Sequence, residues 1–251
     1  MTYQYINDKV YIVTGAGHNP GIGSSIVQKL LLNGASVIAN SRTFDEIWQE
    51  QLRHNAKVCM ITGDVCEPDL QQYMIDHALS RWGRLDGLIN NASTGAAELD
   101  DLGLPTRETW QDNFLLNCIA VYEFCVRCRP YFANAQGSIV KIASRAAIKA
   151  GAGNNIAYAA SKSALVRVSQ ELALQFGPSV TVNCISPGLV ASNRIRNIMQ
   201  DNYDAFQTRW SAISNLASPI SPEEIAETAL FCLSSRSLTG QNIAVCGTAA
   251  M

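Results

Sequence analysis

Short apolar runs alternate with amphipathic stretches of helical length along the whole chain. The runs Val10–Thr14, Ser36–Asn40, Lys57–Ile61, Leu85–Asn90, Ser138–Ile142, Val180–Ile185 and Asn242–Val245 are short enough for strands. They are apolar nearly throughout, as expected of strands buried on both faces. Between them the pattern predicts helices over Gly23–Asn33, closed by Gly34, and over Asp45–His54, Asp69–Trp82, Glu108–Phe132, Ile156–Phe176 and Pro222–Ser234. Seven strands joined by crossover helices predict an α/β fold with a seven-stranded parallel sheet. Right-handed crossovers make that sheet doubly wound, with ligands at the carboxyl ends of its strands. No internal repeat, low-complexity tract or linker divides residues 1–251, so a single domain is expected. The least patterned stretch is Asn193–Pro219.

Composition adds mainly exclusions. The formal charge of −2 offers no basic face for nucleic acid. The start of the chain is polar and mixed, without the pattern of a secretory signal, and no apolar run approaches a membrane span. A cytoplasmic protein with neither a membrane nor a nucleic-acid partner is expected. Charged residues make up only 16% of the chain, which fits surface hidden in an oligomer. The eight cysteines are scattered through apolar segments and read as small core residues. Cys125-Val-Arg-Cys128 has the spacing of a redox pair but lies inside a helical pattern, where a packing face is the expected role. His18, His54 and His77 are too dispersed for a metal site.

The first strand runs into Gly15-Ala16-Gly17-His18-Asn19-Pro20-Gly21-Ile22-Gly23. Glycines between a strand and a helix let a pyrophosphate approach the backbone, and the helix offers it free N–H groups. A tight turn alone would need some of the same residues. With a strand before it and a helix after it, this one reads as the nucleotide-binding turn of a Rossmann-type sheet. The second strand leads into Ser41-Arg42, where an acidic residue would favour NAD. A guanidinium there suits a 2′-phosphate, and the missing carboxylate removes a repulsion, so NADP(H) is expected. Arg42 as a solvated loop residue remains open.

On these segments, followed in order by Asp64-Val65, Asn90-Asn91-Ala92, Asn117, Ser144, Tyr158-Ala-Ala-Ser-Lys162, Pro187-Gly188 and Thr239-Gly240-Gln241, the chain resembles the short-chain dehydrogenase/reductase family over essentially its full length. Within it the resemblance is greatest to carbonyl reductases of the 3-oxoacyl-carrier-protein reductase type. The glycine turn is two residues longer than the common form. Ser93 stands where a glycine is usual, and Ser144 lies one residue further from Tyr158 than in many relatives, the extra residue being assigned to the Gly151–Asn155 loop.

Tyr158 and Lys162 leave the same face of a predicted helix. A free phenol needs about 4 kcal/mol of preferential phenolate stabilisation to work as acid and base near neutrality. A nearby ammonium and a positive nicotinamide ring can supply energy of that order. The resemblance implies that Tyr158 is the acid/base and that Lys162 also holds the nicotinamide ribose. Ser144 can stabilise charge on the substrate oxygen, or simply cap a turn. By resemblance Asn117 holds a water linked to Lys162; a buried amide bonded to nearby backbone is the other reading. Asp64 and Val65 would flank the adenine, Asn91 and Ala92 line the adenosine side, and Pro187 and Gly188 shape the nicotinamide pocket, with Val190 and Ser192 as donors. Asp64 and Pro187-Gly188 are also plain turn residues. The segment near 193–220 would cover the substrate, with Ile195, Ile198, Met199, Tyr203, Phe206 and Trp210 either lining it or packing inward, and Arg194 and Arg196 meeting an anion or solvent.

The expected activity is therefore hydride transfer between NADP(H) and a small-molecule ketone or secondary alcohol, in a homotetramer or at least a dimer. An NAD-dependent alcohol dehydrogenase of the same family, or a non-catalytic dinucleotide sensor on the same fold, are the alternatives. The four-residue Tyr158–Lys162 spacing argues against enoyl reduction, since enoyl reductases place the lysine further away.

Overall fold

The computed structural model describes residues 4–95, 97–133, 136–150, 155–192, 202–214, 216 and 218–247. Seven strands, β1 (Val10–Thr14), β2 (Ser36–Ser41), β3 (Val58–Thr62), β4 (Gly87–Asn90), β5 (Gly137–Ile142), β6 (Val180–Pro187) and β7 (Asn242–Val245), form one sheet in the order β3-β2-β1-β4-β5-β6-β7. Every pairing is parallel. The order reverses between β1 and β4, and the crevice opens there.

Helices α1 (Ile22–Leu32), α2 (Glu46–Arg53) and α8 (Pro222–Ser234) bury Ile26, Leu30, Trp48, Leu52, Ile225 and Leu230 against one face. The other face is covered by α3 (Pro68–Trp82), α5 (Ala120–Cys128) and α6 (Ile156–Phe176), through Met74, Ile75, Phe124, Leu165 and Leu172. A further helix, α7 (Tyr203–Ser214), lies inside the stretch that the pattern left unassigned. Helix α8 begins with Ser221 and Glu224 exchanging side-chain and backbone bonds, then Pro222 in its first turn, which fixes where it starts.

The continuous helix expected over Glu108–Phe132 is broken twice. Helix α4 (Arg107–Phe114) passes into a π turn at Leu115–Ile119, closed by Ala120 N–H on the Leu115 carbonyl, before α5 resumes. Pro130 lacks an N–H, so the helix ends at Cys128 and only a 3-10 turn follows. Strand β6 also runs past its expected end at Ile185, through Pro187, which pairs with Val245.

All eight cysteines are free thiols, and burial pushes those of Cys125 and Cys128 up. Cys125 and Cys128 thus pack as the helix pattern predicted. Lys141 on β5 fits less simply. Its side chain is completely buried beside the Cys118, Cys125 and Cys184 thiols, and among the described residues its Nζ meets no oxygen or nitrogen acceptor, only the weakly accepting Cys125 sulfur. A buried cation with no better acceptor than a thiol is poorly compensated for its lost hydration. Lys141→Met should therefore raise unfolding free energy by about 1–3 kcal/mol, read as a higher urea midpoint; a lower midpoint would mean that the ammonium is stabilised where it stands.

Candidate active site

The crevice at the β1–β4 switch is built from backbone. Gly15 turns the chain at φ +67°, and a Cβ on it would stand 2.7 Å from the Ala92 Cα. Only glycine fits that close approach. Asn91 Nδ2 donates to the carbonyls of Thr14 and Gly15, each at 2.9 Å, while Thr14 Oγ1 accepts from the N–H groups of Asn91 and Ala92. Asn91 therefore reaches the crevice by locking the two strand ends together. Helix α1 starts at Ile22 behind Gly21, without any side-chain cap. Its N-terminal N–H groups remain for an anion, and Gly15, Gly17, Gly21 and Gly23 let the turn fold against Ala92, Ser41, His18 and Asn91 where a Cβ would clash. These residues fit a dinucleotide pyrophosphate.

The two extra residues of the turn form a bulge over the loop after β2. Gly17 lies so close to Ser41 and the Thr43 carbonyl that no side chain fits between them. His18 and Asn19 are held by Asp45, a residue that the sequence reading passed over. Arg42 is exposed beyond Ser41. Asp64 accepts from the Cys66 N–H at 2.9 Å in an Asx turn, which is its turn reading, and Val65 is buried beside it.

On the other side of β4, Tyr158 and Lys162 do share a face of α6. Lys162 Nζ donates to the Ile142 carbonyl at 2.8 Å and lies 5.9 Å from the Tyr158 ring centroid. Tyr158 is half-buried, Lys162 fully so. Ser144 lies two residues beyond β5, and its Oγ accepts from the Ala146 N–H at 3.1 Å. It caps the turn, yet its own proton stays available to another oxygen. Asn117 occupies the π turn and uses its amide fully. Oδ1 accepts from Ser93 Oγ and Thr94 N–H, and Nδ2 donates to the Thr94 carbonyl and Ser161 Oγ, all at 2.9–3.0 Å. Ser161 Oγ in turn donates to the Tyr158 carbonyl at 2.8 Å. The buried-amide role is the one this side chain fills.

Pro187 and Gly188 stand at the end of β6, with Trp210 and Cys246 so close to Gly188 that a Cβ there would lie 2.6 Å from the indole. Trp210 is buried and carries the Arg145 guanidinium over its ring at 4.8 Å, so it packs inward. Val190 bridges to Ile220, and the Ser192 N–H is bonded to the Val190 carbonyl at 2.8 Å. Arg194, Ile195, Arg196, Ile198 and Met199 lie outside the described residues, as does most of the Gly151–Asn155 loop, and nothing is described of the Tyr203 and Phe206 side chains.

The family described as "Enoyl-(Acyl carrier protein) reductase" matches residues 15–247, nearly the whole chain. The chain belongs to the short-chain dehydrogenase/reductase family. Among the relatives of this short-chain dehydrogenase/reductase, a Streptomyces violaceoruber protein named as ketoacyl reductase 2 of the granaticin polyketide synthase is 31% identical, over 96% of this chain and 95% of its own. The 3-oxoacyl-[acyl-carrier-protein] reductase of Chlamydia muridarum is 29% identical, with 96% of each chain covered. The ligand-free structure of Thermoplasma acidophilum aldohexose dehydrogenase superposes with a TM-score of 0.86 at 25% identity, covering 98% of this chain and 96% of that one. As a short-chain dehydrogenase/reductase the protein is an oxidoreductase of carbonyl or alcohol substrates that uses a nicotinamide dinucleotide.

Several residues that shape this short-chain dehydrogenase/reductase site escaped the motif search. Asn155 caps α6, its Oδ1 accepting from the Tyr158 N–H at 3.1 Å, while its Nδ2 donates to the Gly95 carbonyl. An asparagine just before an apolar helix was a readable cap signal. Thr94 and Ser161 had none, because what they bind is distant in sequence. Asn117→Ala would remove two hydrogen bonds from Thr94 and one each from Ser93 and Ser161. It should cost about 1–3 kcal/mol and speed amide exchange around residues 93–95; unchanged exchange there would contradict the network.

Proposed function

We propose that the protein transfers a hydride between NADP(H) and a ketone or secondary alcohol, with Tyr158 as the acid/base. The observation that carries this is the rigid Tyr158–Lys162 pair. The Ile142 carbonyl accepts from the Lys162 ammonium, and the Asn155 side chain caps the helix at the Tyr158 N–H. The bound nicotinamide would supply or accept the hydride. Tyr158 would give its phenolic proton to the carbonyl oxygen as charge develops there, or take it back from an alcohol. Lys162, which donates to the Ile142 carbonyl, would favour the phenolate by its charge and bond the cofactor ribose. Ser144, whose lone pair is engaged by Ala146, would donate its proton to the substrate oxygen. Asn117 would act by holding the Ser93–Thr94 segment against α6, and the relay through a water would not depend on its amide.

Gly15, Gly17, Gly21, Ile22 and Gly23 would hold the pyrophosphate. Asp64, Val65, Asn91 and Ala92 would border the adenosine, and Pro187, Gly188, Val190 and Ser192 the nicotinamide. Ser41 and Arg42 favour NADP(H), and His18 and Asn19 lie at the same end. The segment near 193–220 would close over the substrate within the one domain. The four-residue spacing of Tyr158 and Lys162 favours carbonyl over enoyl reduction, although the matched family's description names the latter. A complete set of Asn117, Ser144, Tyr158 and Lys162 weighs against a sensor that only binds dinucleotide. Eight free thiols fit a reducing cytoplasm, and no helix among the described residues is long and apolar enough to cross a membrane.

Tyr158→Phe keeps the ring and loses only the transferable proton. Single-turnover hydride transfer should fall by about 10²–10⁴ with cofactor binding intact, whereas Lys162→Ala should lose both. A Tyr158→Phe rate above about a tenth of wild type would place the proton elsewhere.

Leu115, Ile119, Tyr122 and Val126 form an exposed stripe, each side chain 42–46% exposed, along the π turn and α5. An apolar stripe of this kind suits an isologous two-fold contact, and two such contacts make a tetramer. Light scattering at micromolar concentration should return a tetramer or dimer mass, and Tyr122→Asp with Val126→Asp should lower it; a monomeric wild type would refute the assembly.

A further inference from the structure

The loop after β2 is not free of acid. Asp45 stands at the start of α2 and turns back onto the lengthened glycine turn. His18 Nδ1 donates to Asp45 Oδ1 at 2.7 Å, and the Asn19 N–H donates to Oδ2 at 3.0 Å. The Asp45 N–H is bonded to the Gly17 carbonyl at 2.9 Å, so the carboxylate and its own backbone grip three successive residues of the bulge. His18 Nε2 faces Thr43 Oγ1 at 3.5 Å, on the side of Ser41. That loop is where a dinucleotide fold reads the adenosine ribose.

We propose that His18 and Asp45 act together as a cofactor-specificity pair, with the imidazole's charge deciding whether the 2′-phosphate of NADP(H) is accepted. With the Nδ1 proton committed to Asp45, neutral His18 has only a lone pair at Nε2, which can accept from the Thr43 hydroxyl but cannot donate to a phosphate, and the pair carries one negative charge. Protonated His18 presents an Nε2–H donor, and the pair is neutral. The first state repels a phosphate at the loop and the second bonds it. Burial raises the Asp45 carboxyl, but the bonds from His18 and Asn19 and the charge of His18 outweigh it and hold it below the usual range, so the carboxylate stays ionised. The other charged groups on the elements around the imidazole are Arg42 after β2 and Glu46 in the first turn of α2; the first turn of α1 carries no acidic residue. The pair is exposed, 58% at His18 and 37% at Asp45, so a ligand can reach it.

This inference rests on the NADP(H) reading of the site, and binding rather than turnover separates the two. NADPH and NADH are titrated by tryptophan fluorescence into wild type, His18→Gln and Asp45→Asn across about pH 6 to 8.5, where imidazoles change charge. In wild type the ratio of NADPH to NADH affinity should fall about tenfold as pH rises. In His18→Gln it should be low and should not fall, since ionisation of the phosphate itself near pH 6 can only favour Arg42. Asp45→Asn should raise NADPH affinity at the high end. NMR titration of the His18 ring should show a shift of its midpoint on adding NADPH and less on adding NADH. If NADPH is preferred but the ratio ignores pH or is unchanged in His18→Gln, the pair has no such role while the NADP(H) reading stands. If NADH is preferred throughout but the ratio still falls with pH only when His18 is present, the pair stands and the NADP(H) reading falls. Failure to bind either cofactor would overturn both.

Discussion

One amide holds the catalytic end of the fold together. Asn117 projects from a π turn in the helix that covers β4 and β5, and each of its polar valences is used. It fixes the backbone after β4 at Thr94, and through Ser161 it reaches the Tyr158 carbonyl. The loop after β4, the broken helix and α6 are thereby set relative to one another. A regular helix at Leu115–Ile119 would turn the residues on either side of Asn117 differently, which gives the π turn its purpose. Net worth per bond is modest, about 1 kcal/mol, but four such bonds converge on this one fully buried amide.

The same economy appears on the cofactor side. Thr14 and Asn91 tie the carboxyl ends of β1 and β4 by four bonds, so the crevice is closed at its base by strand-end groups and lined by glycines. The sheet supplies position and the loops supply chemistry. At the far end, Asp45 binds the enlarged turn to α2, and Trp48 Nε1 donates to the Ala16 carbonyl at 2.8 Å from the same helix. Helix α2 is short, and its contacts serve the glycine turn as much as the core.

Strand positions, the parallel seven-stranded sheet and the shared helix face of Tyr158 and Lys162 were legible because each has a local signature: an apolar run, a glycine cluster, a four-residue spacing. The break at Asn117 was not, because a π turn changes the hydrogen-bond ladder without changing the apolar period around it. Pro130 did carry a readable stop, and the long helix was drawn through it. Asp45 was missed for a different reason. An acid at the end of β2 would lie next to Ser41, whereas the lengthened turn meets the Asp45 carboxylate several residues later, by a contact that exists only in three dimensions. Asn155 lay between these cases, a cap visible in sequence whose second bond, to Gly95, was not.

Most else depends on the hydride reaching a carbonyl carbon, whose oxygen would take the Tyr158 proton, rather than an enoyl carbon. This is tested most directly by following the hydride. The protein is given 4-deuterated NADPH or NADH and an equimolar mixture of a 3-oxoacyl and a trans-2-enoyl thioester, and the products are resolved by mass spectrometry. The account predicts a 3-hydroxyacyl product with deuterium on the carbinol carbon and an unreacted enoyl partner. Deuterium in the saturated acyl product, with the ketone untouched, would contradict it.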